Sequence, residues 1–452
     1  MPPTALSPAS ARAPSARTPS ARAAGPRRTV ERFTLPNGLR VVVAPDRAAP
    51  VVGVNVSYDV GFRSEPQGRT GFAHLFEHLM FQGSGSVGKM EHARLVQGAG
   101  GVMNGSTHPD YTNYFEALPT GALELALFLE ADRMRAPRLT QENLANQISV
   151  VQEEIRVNVL NQPYGGFPWI TLPPVAFESF ANTHDGYGGF ADLEAATLAD
   201  AADFFERYYA PGNAVLAVAG DVDADELATL VERHFGDIEA RPTPPRPDFG
   251  EPWPTAERRG TQTDPVAPQP ALALGWRVPD PVGDLAAYLP VVVLAEVLAE
   301  GDASRLQRRL VLEGRLATSV SAYLGTFGDP FDGRDPVLLT VEAHHPAEIT
   351  AATITTAGDV ELDRLATDGL APGELERVRA RLAAQLLRST DGVMGRTNSL
   401  AVLELLHGRA ELLAELPGLL AAVPAADVVA AAAARTPATR AVLELVPADG
   451  DR

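Results

Sequence analysis

The sequence predicts an α+β protein made of two similar halves joined by a linker. Residues 241–254 are rich in proline and poor in apolar side chains, which is typical of a connection between domains. On each side of this segment, short apolar strands alternate with amphipathic helices. The halves also end alike, because residues 209–216 and 435–443 both run from a helix end through a proline turn into an apolar strand. We therefore expect an internal duplication, with about 200 residues in each copy.

Apolar runs and alternating patterns predict the strands of the first half, at residues 33–35, 39–44 and 51–58, within 102–118, and at 213–219. Helical spacing predicts its helices, at residues 71–79, 122–134, 141–160 and 198–209. The same patterns predict strands of the second half at residues 271–276, 317–324, 336–343 and 441–443. They predict its helices at residues 285–298, 304–313, 374–388, 400–406 and 426–434. This order places a first domain at 29–240, a linker at 241–258 and a second domain at 259–452.

Residues 1–28 differ from the rest of the chain. They repeat a Ser-Ala-Arg unit and contain five arginines, six prolines and no acidic residue. Because proline opposes helix formation, we expect a disordered tail. We expect the protein to be cytoplasmic. Arginine, serine and alanine without acidic residues are also typical of a mitochondrial transit peptide, so the mitochondrial matrix is the alternative location.

Composition excludes several classes of protein. The net charge of −19 argues against nucleic-acid binding, which needs a basic surface. The chain has no cysteine, so any transition metal must be held by His, Asp or Glu. No apolar stretch reaches the length of a membrane span.

The motif His74-Leu75-Phe76-Glu77-His78 indicates metal chemistry. Positions i, i+3 and i+4 share one face of a helix, so the imidazoles of His74 and His78 can bind one ion with Glu77 beside them. The order is the inverted form of the zinc-peptidase motif. We therefore expect one Zn²⁺ per chain, a peptide substrate, and Glu77 as the general base that activates the attacking water.

A catalytic zinc needs a third protein ligand. The predicted helix 141–160 offers Glu153 and Glu154. Glu154 shares a face with Gln147 and apolar neighbours, whereas Glu153 lies on a polar face. We therefore predict that Glu154 is the ligand and that Glu153 is either solvated or supports the ligands from outside.

These motifs resemble the pitrilysin-type zinc peptidases, the family that includes insulin-degrading enzyme and the mitochondrial processing peptidase. The resemblance spans residues 33–446 and is most specific at residues 37–41, 71–81, 208–213 and 219–222. It implies two similar α+β domains, each a mostly antiparallel sheet packed with helices. It also implies zinc ligation by His74, His78 and Glu154, with Glu77 as base, in the short form that assembles from two chains around a chamber.

The stretch 101–107 resembles the family's active-site edge strand. Asn104, Gly105, Ser106 and Thr107 would then bind an extended peptide through main-chain hydrogen bonds. A plain hairpin is the alternative interpretation.

Two departures from the family matter. Gln147 stands where a second glutamate is frequent, and its amide can hydrogen-bond a ligand but cannot act as a base. Val311 and Thr318 stand where a substrate-gripping Arg and Tyr are usual. The resemblance therefore implies the catalytic subunit of a heterodimer whose zinc-less homologous partner supplies that pair. A homodimer and a non-catalytic assembly subunit of the same fold are the alternatives.

Overall fold

The computed structural model describes residues 30–448 and places two β-sheets in the chain. The predicted disordered tail at residues 1–28 lies outside the described part. The strands of the first half are β1 (Glu31–Thr34), β2 (Arg40–Pro45), β3 (Val51–Tyr58), β4 (Val102–Thr107), β5 (Thr112–Pro119) and β6 (Ala214–Gly220). Its helices are α1 (Phe72–Leu79), α2 (Glu91–Gly98), α3 (Leu123–Arg135), α4 (Gln141–Ile155), α5 (Pro173–Ala176), α6 (Phe180–Thr183), α7 (Phe190–Glu194), α8 (Leu198–Tyr208) and α9 (Ala224–Phe235).

The second half follows residues 239–257, which form neither helix nor strand. Its strands are β7 (Arg258–Asp264), β8 (Ala271–Arg277), β9 (Ser319–Leu324), β10 (Leu338–His344) and β11 (Arg440–Pro447). Its helices are α10 (Leu285–Ala299), α11 (Ala351–Asp368), α12 (Glu374–Ser389), α13 (Val393–His407), α14 (Leu412–Ala422) and α15 (Ala425–Ala433).

Apart from the extra edge strand β1 of the first sheet, both sheets have the same connectivity. The first sheet has the order β1-β2-β6-β3-β5-β4, and the second has the order β7-β11-β8-β10-β9. Each contains one parallel pair, β2 with β6 and β7 with β11, and its other neighbours are antiparallel. Strands β2 to β6 thus correspond one by one to β7 to β11. The predicted α+β fold with two similar, mostly antiparallel sheets is confirmed.

Each half covers part of the other half's sheet. Helix α13 of the second half packs on the first sheet, where Leu400 and Leu405 meet apolar residues such as Val42 and Val215. In return, Leu172 from the first half packs on the second sheet in a separate apolar cluster. Each sheet therefore packs against the core of its own half on one face and against side chains of the other half on the opposite face.

Two predicted helices are wrong in part. Helix α4 ends at Ile155, and residues Arg156–Leu160 form a wider π-helical turn in which Asn161 N donates to Arg156 O at 2.8 Å. The β-branched Val157 and Val159 and the intervening Asn158 disfavour α-helix. Residues Gln307–Glu313 are likewise π-helical within the helix that we predicted at 304–313.

Eight elements lack a prediction: β7, α2, α5, α6, α7, α9, α11 and α14. Strand β7 is almost entirely polar, so no apolar alternation marks it, and its place comes from parallel pairing with β11. Threonines and Gly358 weaken the helical signal of α11.

Within residues 30–448, no single helix has the length and apolar composition to cross a membrane. Helices α14 and α15 pass that test only as a pair, and they meet at a bend of 86°.

Candidate active site and metal centre

Helix α1, which carries the predicted motif, is fixed at its first turn. The carboxylate of Glu65 accepts hydrogen bonds from Gly71 N at 2.9 Å and Ala73 N at 2.7 Å. Gly71 has a φ of 78°, and a β-carbon there would lie 2.2 Å from Tyr187 O, so only glycine fits. The apolar face of the helix is buried and consists of Leu75, Phe76 and Leu79. This packing turns the histidine face toward the cleft.

The three predicted ligands converge. The Nε2 atoms of His74 and His78 are 3.2 Å apart, and they lie 3.4 Å and 3.5 Å from the same oxygen of Glu154, Oε2. Tetrahedral zinc with bonds of about 2.0–2.1 Å holds its ligand atoms roughly 3.3–3.4 Å apart. The separations of the three atoms therefore match one tetrahedral ion.

Glu154 is positioned by helix α4 and by the π-helical turn that follows. Thr140 caps the helix through a hydrogen bond from Asn143 N at 3.1 Å. In the turn, Asn158 Nδ2 donates to Tyr187 OH at 3.2 Å. The Tyr187 ring centre lies 5.2 Å from that of His74. The wide turn thus places an aromatic ring against the first histidine.

Glu77 lies between the histidines and the edge strand β4. Its carboxylate accepts a hydrogen bond from Thr107 Oγ1 at 2.6 Å, and its side chain is buried. A β-carbon on Gly105 would lie 3.0 Å from Glu77 Oε1, so glycine allows the strand to approach this closely. Ser106 Oγ donates to Asn113 Oδ1 at 2.6 Å, and Asn104 is exposed. The predicted strand is thus the sheet edge beside Glu77.

The matching protein families point to the same chemistry. The family "Insulinase (Peptidase family M16)" matches residues 40–164, and "Peptidase M16 inactive domain" matches residues 195–382. Zinc protease PqqE of Helicobacter pylori is 29% identical over 379 residues, which is 80% of each chain. An uncharacterized zinc protease of Mycobacterium tuberculosis is 30% identical over 387 residues, 85% of this chain and 84% of that protein. The chain belongs to peptidase family M16.

The fold agrees with this assignment. A protease from Helicobacter pylori superposes with a TM-score of 0.86 at 26% identity, over 93% of this chain and all of that one. An M16 inactive domain from Pseudomonas fluorescens has a TM-score of 0.82 at 17% identity, over 94% of this chain and 99% of that one, and shows the fold alone. The predicted pitrilysin-like, two-domain resemblance is confirmed, and the protein is a zinc metallopeptidase.

Gln147 and Glu153, which the sequence also assigned to the site, differ from each other in their surroundings. Gln147 is buried, and its Oε1 lies 3.3 Å from His78 Nδ1, where an amide oxygen can orient a ligand imidazole. Glu153 does not reach the ligands. Its side chain is 65% exposed and pairs with Arg156 at 3.1 Å, as in the solvated alternative.

Burial and mutual charge shift the pKa values of the site. Burial and the neighbouring His78 lower the pKa of His74 to about 4. Burial would also lower the pKa of His78, but its hydrogen bond to Glu154 and the charge of that carboxylate raise it overall. The same hydrogen bond lowers the pKa of Glu154, while burial raises that of Glu77. The electrostatics favour a neutral His74 and an ionised Glu154, the forms in which these side chains ligate metals.

The chemistry of the donor set fits zinc, because two imidazole nitrogens and one carboxylate oxygen are the ligands of many catalytic zinc sites. The described residues contain a second group close enough to hold a metal, formed by His92, Glu116 and Glu130. There the guanidinium of Arg133 binds Glu130, and all members are buried. A cation already neutralises that cluster, so it is a poor metal site.

Sequence reasoning missed several residues of the site. Tyr187 and Asn158 contact the ligand region, and His108 bonds to the edge strand through Ser106. His108 had no assigned role, and its partner Asp332 lies in the other half of the chain. The only signal for His108 in the sequence is that it directly follows Thr107, the last residue of the predicted edge strand.

Proposed function

We propose that the protein is a zinc metalloendopeptidase that cleaves peptides or small unfolded polypeptides. The observation that supports this most directly is the set of three ligand atoms, 3.2–3.5 Å apart, with the Glu77 carboxylate beside them. His74, His78 and Glu154 would hold one zinc ion per chain. When bound, zinc supplies Lewis acidity toward a carbonyl oxygen and toward water.

Glu77 performs the proton transfers. Its carboxylate takes a proton from the attacking water and delivers that proton to the leaving amine. Burial raises the pKa of Glu77, which makes its carboxylate a stronger proton acceptor than an exposed one. Thr107 holds one carboxylate oxygen and leaves the other for water.

The substrate is bound in an extended form. Strand β4 is the edge of its sheet and its main-chain groups on the outer side lack a partner strand in the described chain. A peptide that adds to this edge is gripped by main-chain hydrogen bonds, which depend little on its sequence. Residues Asn104 to Thr107 would supply this binding edge.

We further propose that the enzyme works with a homologous, zinc-less partner chain. Val311 and Thr318 replace the Arg and Tyr that the family uses to grip substrate, so a partner must supply them. A relative from Arabidopsis thaliana, 25% identical over 213 residues, is named as a probable beta subunit of the mitochondrial processing peptidase. Copurification from the native source distinguishes the two assemblies: two chain types support a heterodimer, and one chain type supports a homodimer.

A non-catalytic role is the weaker alternative. One structural neighbour carries the name of an inactive domain, so the fold by itself is compatible with such a role. The complete set of His74, Glu77, His78 and Glu154 argues for catalysis, because a subunit used only for assembly needs none of them.

A peptide mixture tests the proposal. The purified protein is incubated with the mixture, with and without copurifying chains, and the cuts are identified by mass spectrometry. We expect internal cuts that stop on chelation and return with zinc. The variant His78→Gln should abolish them, whereas the matched control His234→Gln, in helix α9 where His234 pairs with Glu124, should not. Cleavage that survives both chelation and His78→Gln would contradict a zinc mechanism.

A further inference from the structure

A loop of the second half reaches the edge strand of the first half's active site. This loop, residues 325–337, joins β9 to β10. Within it, Asp332 lies 2.7 Å from His108 Nδ1 through Oδ2, and its Oδ1 accepts a hydrogen bond from Tyr111 OH. His108 and Tyr111 belong to the turn between β4 and β5. A single carboxylate therefore binds two side chains of the turn that follows the peptide-binding strand.

A second set of contacts holds the same two segments together. Arg334 N donates to Asp110 Oδ2 at 2.8 Å. The guanidinium of Arg63 binds Asp110 and also donates to Arg334 O at 3.1 Å. Arg63, Asp110, Asp332 and Arg334 are all buried. Buried charge-assisted hydrogen bonds have stricter geometry than exposed ones, so the turn has little freedom relative to the loop.

The contacts continue from Asp332 to the catalytic base. The Nε2 of His108 lies 2.9 Å from Ser106 Oγ, and the adjacent Thr107 donates to Glu77 at 2.6 Å. Successive side chains of a strand point to opposite faces. His108 and Ser106 therefore hold β4 from one face, while Thr107 meets Glu77 on the other.

Strand β4 needs such support because it is an edge. It is hydrogen-bonded to β5 on one side only. An edge strand with a glycine near its centre, Gly105, is locally weak. Its position beside Glu77 then depends on what holds its end, and the link from Asp332 through His108 to Ser106 reaches the strand itself.

We propose that Asp332 is a positioning residue for peptide hydrolysis, which acts through His108 to hold β4 where Thr107 orients Glu77. This inference rests on the proposed function and extends it, because the second half then takes part in catalysis within the same chain. The side-chain partners of Asp332 are His108 and Tyr111 and not a proposed metal ligand, so its removal should leave zinc binding intact.

The test compares two aspartates of one loop. Asp332→Ala removes the contact with His108 and Tyr111 in the turn after β4, whereas the control Asp335→Ala breaks a 2.7 Å ion pair with Arg277 inside the second half. We expect Asp332→Ala to lower kcat about tenfold or more at unchanged zinc content, because small displacements of reacting groups are costly. Asp335→Ala should stay within about twofold of wild type.

Coupling to Thr107 separates positioning from general stability. Thr107→Val also lowers kcat, and the double variant Asp332→Ala/Thr107→Val should be no slower than the Thr107→Val enzyme, because both act through one contact. Multiplied losses in the double variant would overturn the inference, as would equal losses in the two aspartate variants.

Hydrogen exchange gives a readout that does not need activity. The β4 amides that bond to β5 should exchange faster in Asp332→Ala than in Asp335→Ala, and equal rates would overturn the inference. If the wild-type protein cleaves no peptide, the proposed function fails, while this exchange comparison still decides whether Asp332 holds the strand. If Asp332→Ala does not fold, Asp332→Asn, which keeps the shape of the side chain, takes its place.

Discussion

The two halves of the peptidase place a helix after the same strand of the same sheet, yet they use that helix differently. Helix α1 follows β3 and presents His74, Glu77 and His78 along one face. Helix α10 follows β8, contains no histidine, and is buried at every position from Tyr288 to Ala299. One scaffold therefore serves chemistry in the first half and core packing in the second.

The difference shows what a site requires beyond its ligands. Buried polar groups lower stability unless each has a partner, so α1 depends on Glu65 at its first turn, Gln147 behind His78 and Thr107 beside Glu77. Helix α10 has only two such buried polar groups: Tyr288 donates to Pro330 O, and Glu296 pairs with Arg381. The edge strands differ in the same way: β4 has Gly105 against Glu77, whereas the corresponding β9 has Tyr323 bonded to Glu342.

The largest effect is expected from Glu77→Gln. The amide keeps the shape of the side chain but cannot take a proton from water, so activity should fall by about 10²- to 10⁴-fold. Zinc content should be unchanged, because Glu77 is not a ligand. Peptide cleavage rates and metal analysis of the same preparation check this. Normal cleavage by the variant would remove Glu77 from the mechanism.

The next largest effect tests the contrast between helices α1 and α10. Leu294→Ala in α10 removes a fully buried side chain from the second core and should cost about 2–5 kcal/mol in the free energy of unfolding. At temperatures where the variant is folded, its zinc content and kcat should match the wild type. Leu75→Ala in α1 should lower stability and zinc content together. Urea unfolding with metal analysis makes the comparison, and a loss of zinc in Leu294→Ala would break it.

A smaller effect is expected from Gln147→Ala. Removing the amide that lies 3.3 Å from His78 Nδ1 leaves this imidazole without its orienting partner. Loss of such a partner typically weakens metal affinity about 10- to 100-fold. Competition with a chelator of known affinity measures the change. An unaltered affinity would mean that Gln147 only fills space.

The smallest effect is expected from Glu153→Gln, next to the proposed ligand Glu154. Because Glu153 is exposed and pairs only with Arg156 among the described residues, zinc affinity and kcat should stay within about twofold of wild type. The same chelator competition and peptide assay apply. A clear loss of zinc affinity would show that Glu153 contributes to the zinc site.

Much of the fold was predictable because local signals agree with tertiary structure. Strand β3 is matched residue for residue, and α10 within one residue, since β3 alternates apolar with small or polar residues and α10 is an almost unbroken apolar run. Strand β7 and the π-helical turns were not predictable. The first exists because of pairing with β11, and the turn after α4 accompanies a side-chain bond between Asn158 and Tyr187. Neither cause is visible in local composition.

The residues of the site likewise divide into those that the sequence predicts and those that it does not. His74, Glu77 and His78 lie within one helical turn, so spacing alone brings them together, and helix faces select Glu154 over Glu153. The contact of Asp332 with His108 joins positions that are remote in sequence, and no sequence pattern near either residue predicts this contact. The sequence thus predicts the candidate ligands from residue spacing and helix faces. The contacts between distant elements that support these residues become visible only in the structure.

Zinc K-edge X-ray absorption on the purified wild-type protein tests the central claim most directly. The account predicts one zinc per chain with two imidazole nitrogens and carboxylate or water oxygens at about 2.0–2.1 Å, and loss of one imidazole contribution in His78→Gln. A protein without stoichiometric zinc, or a zinc environment that His78→Gln leaves unchanged, would contradict it.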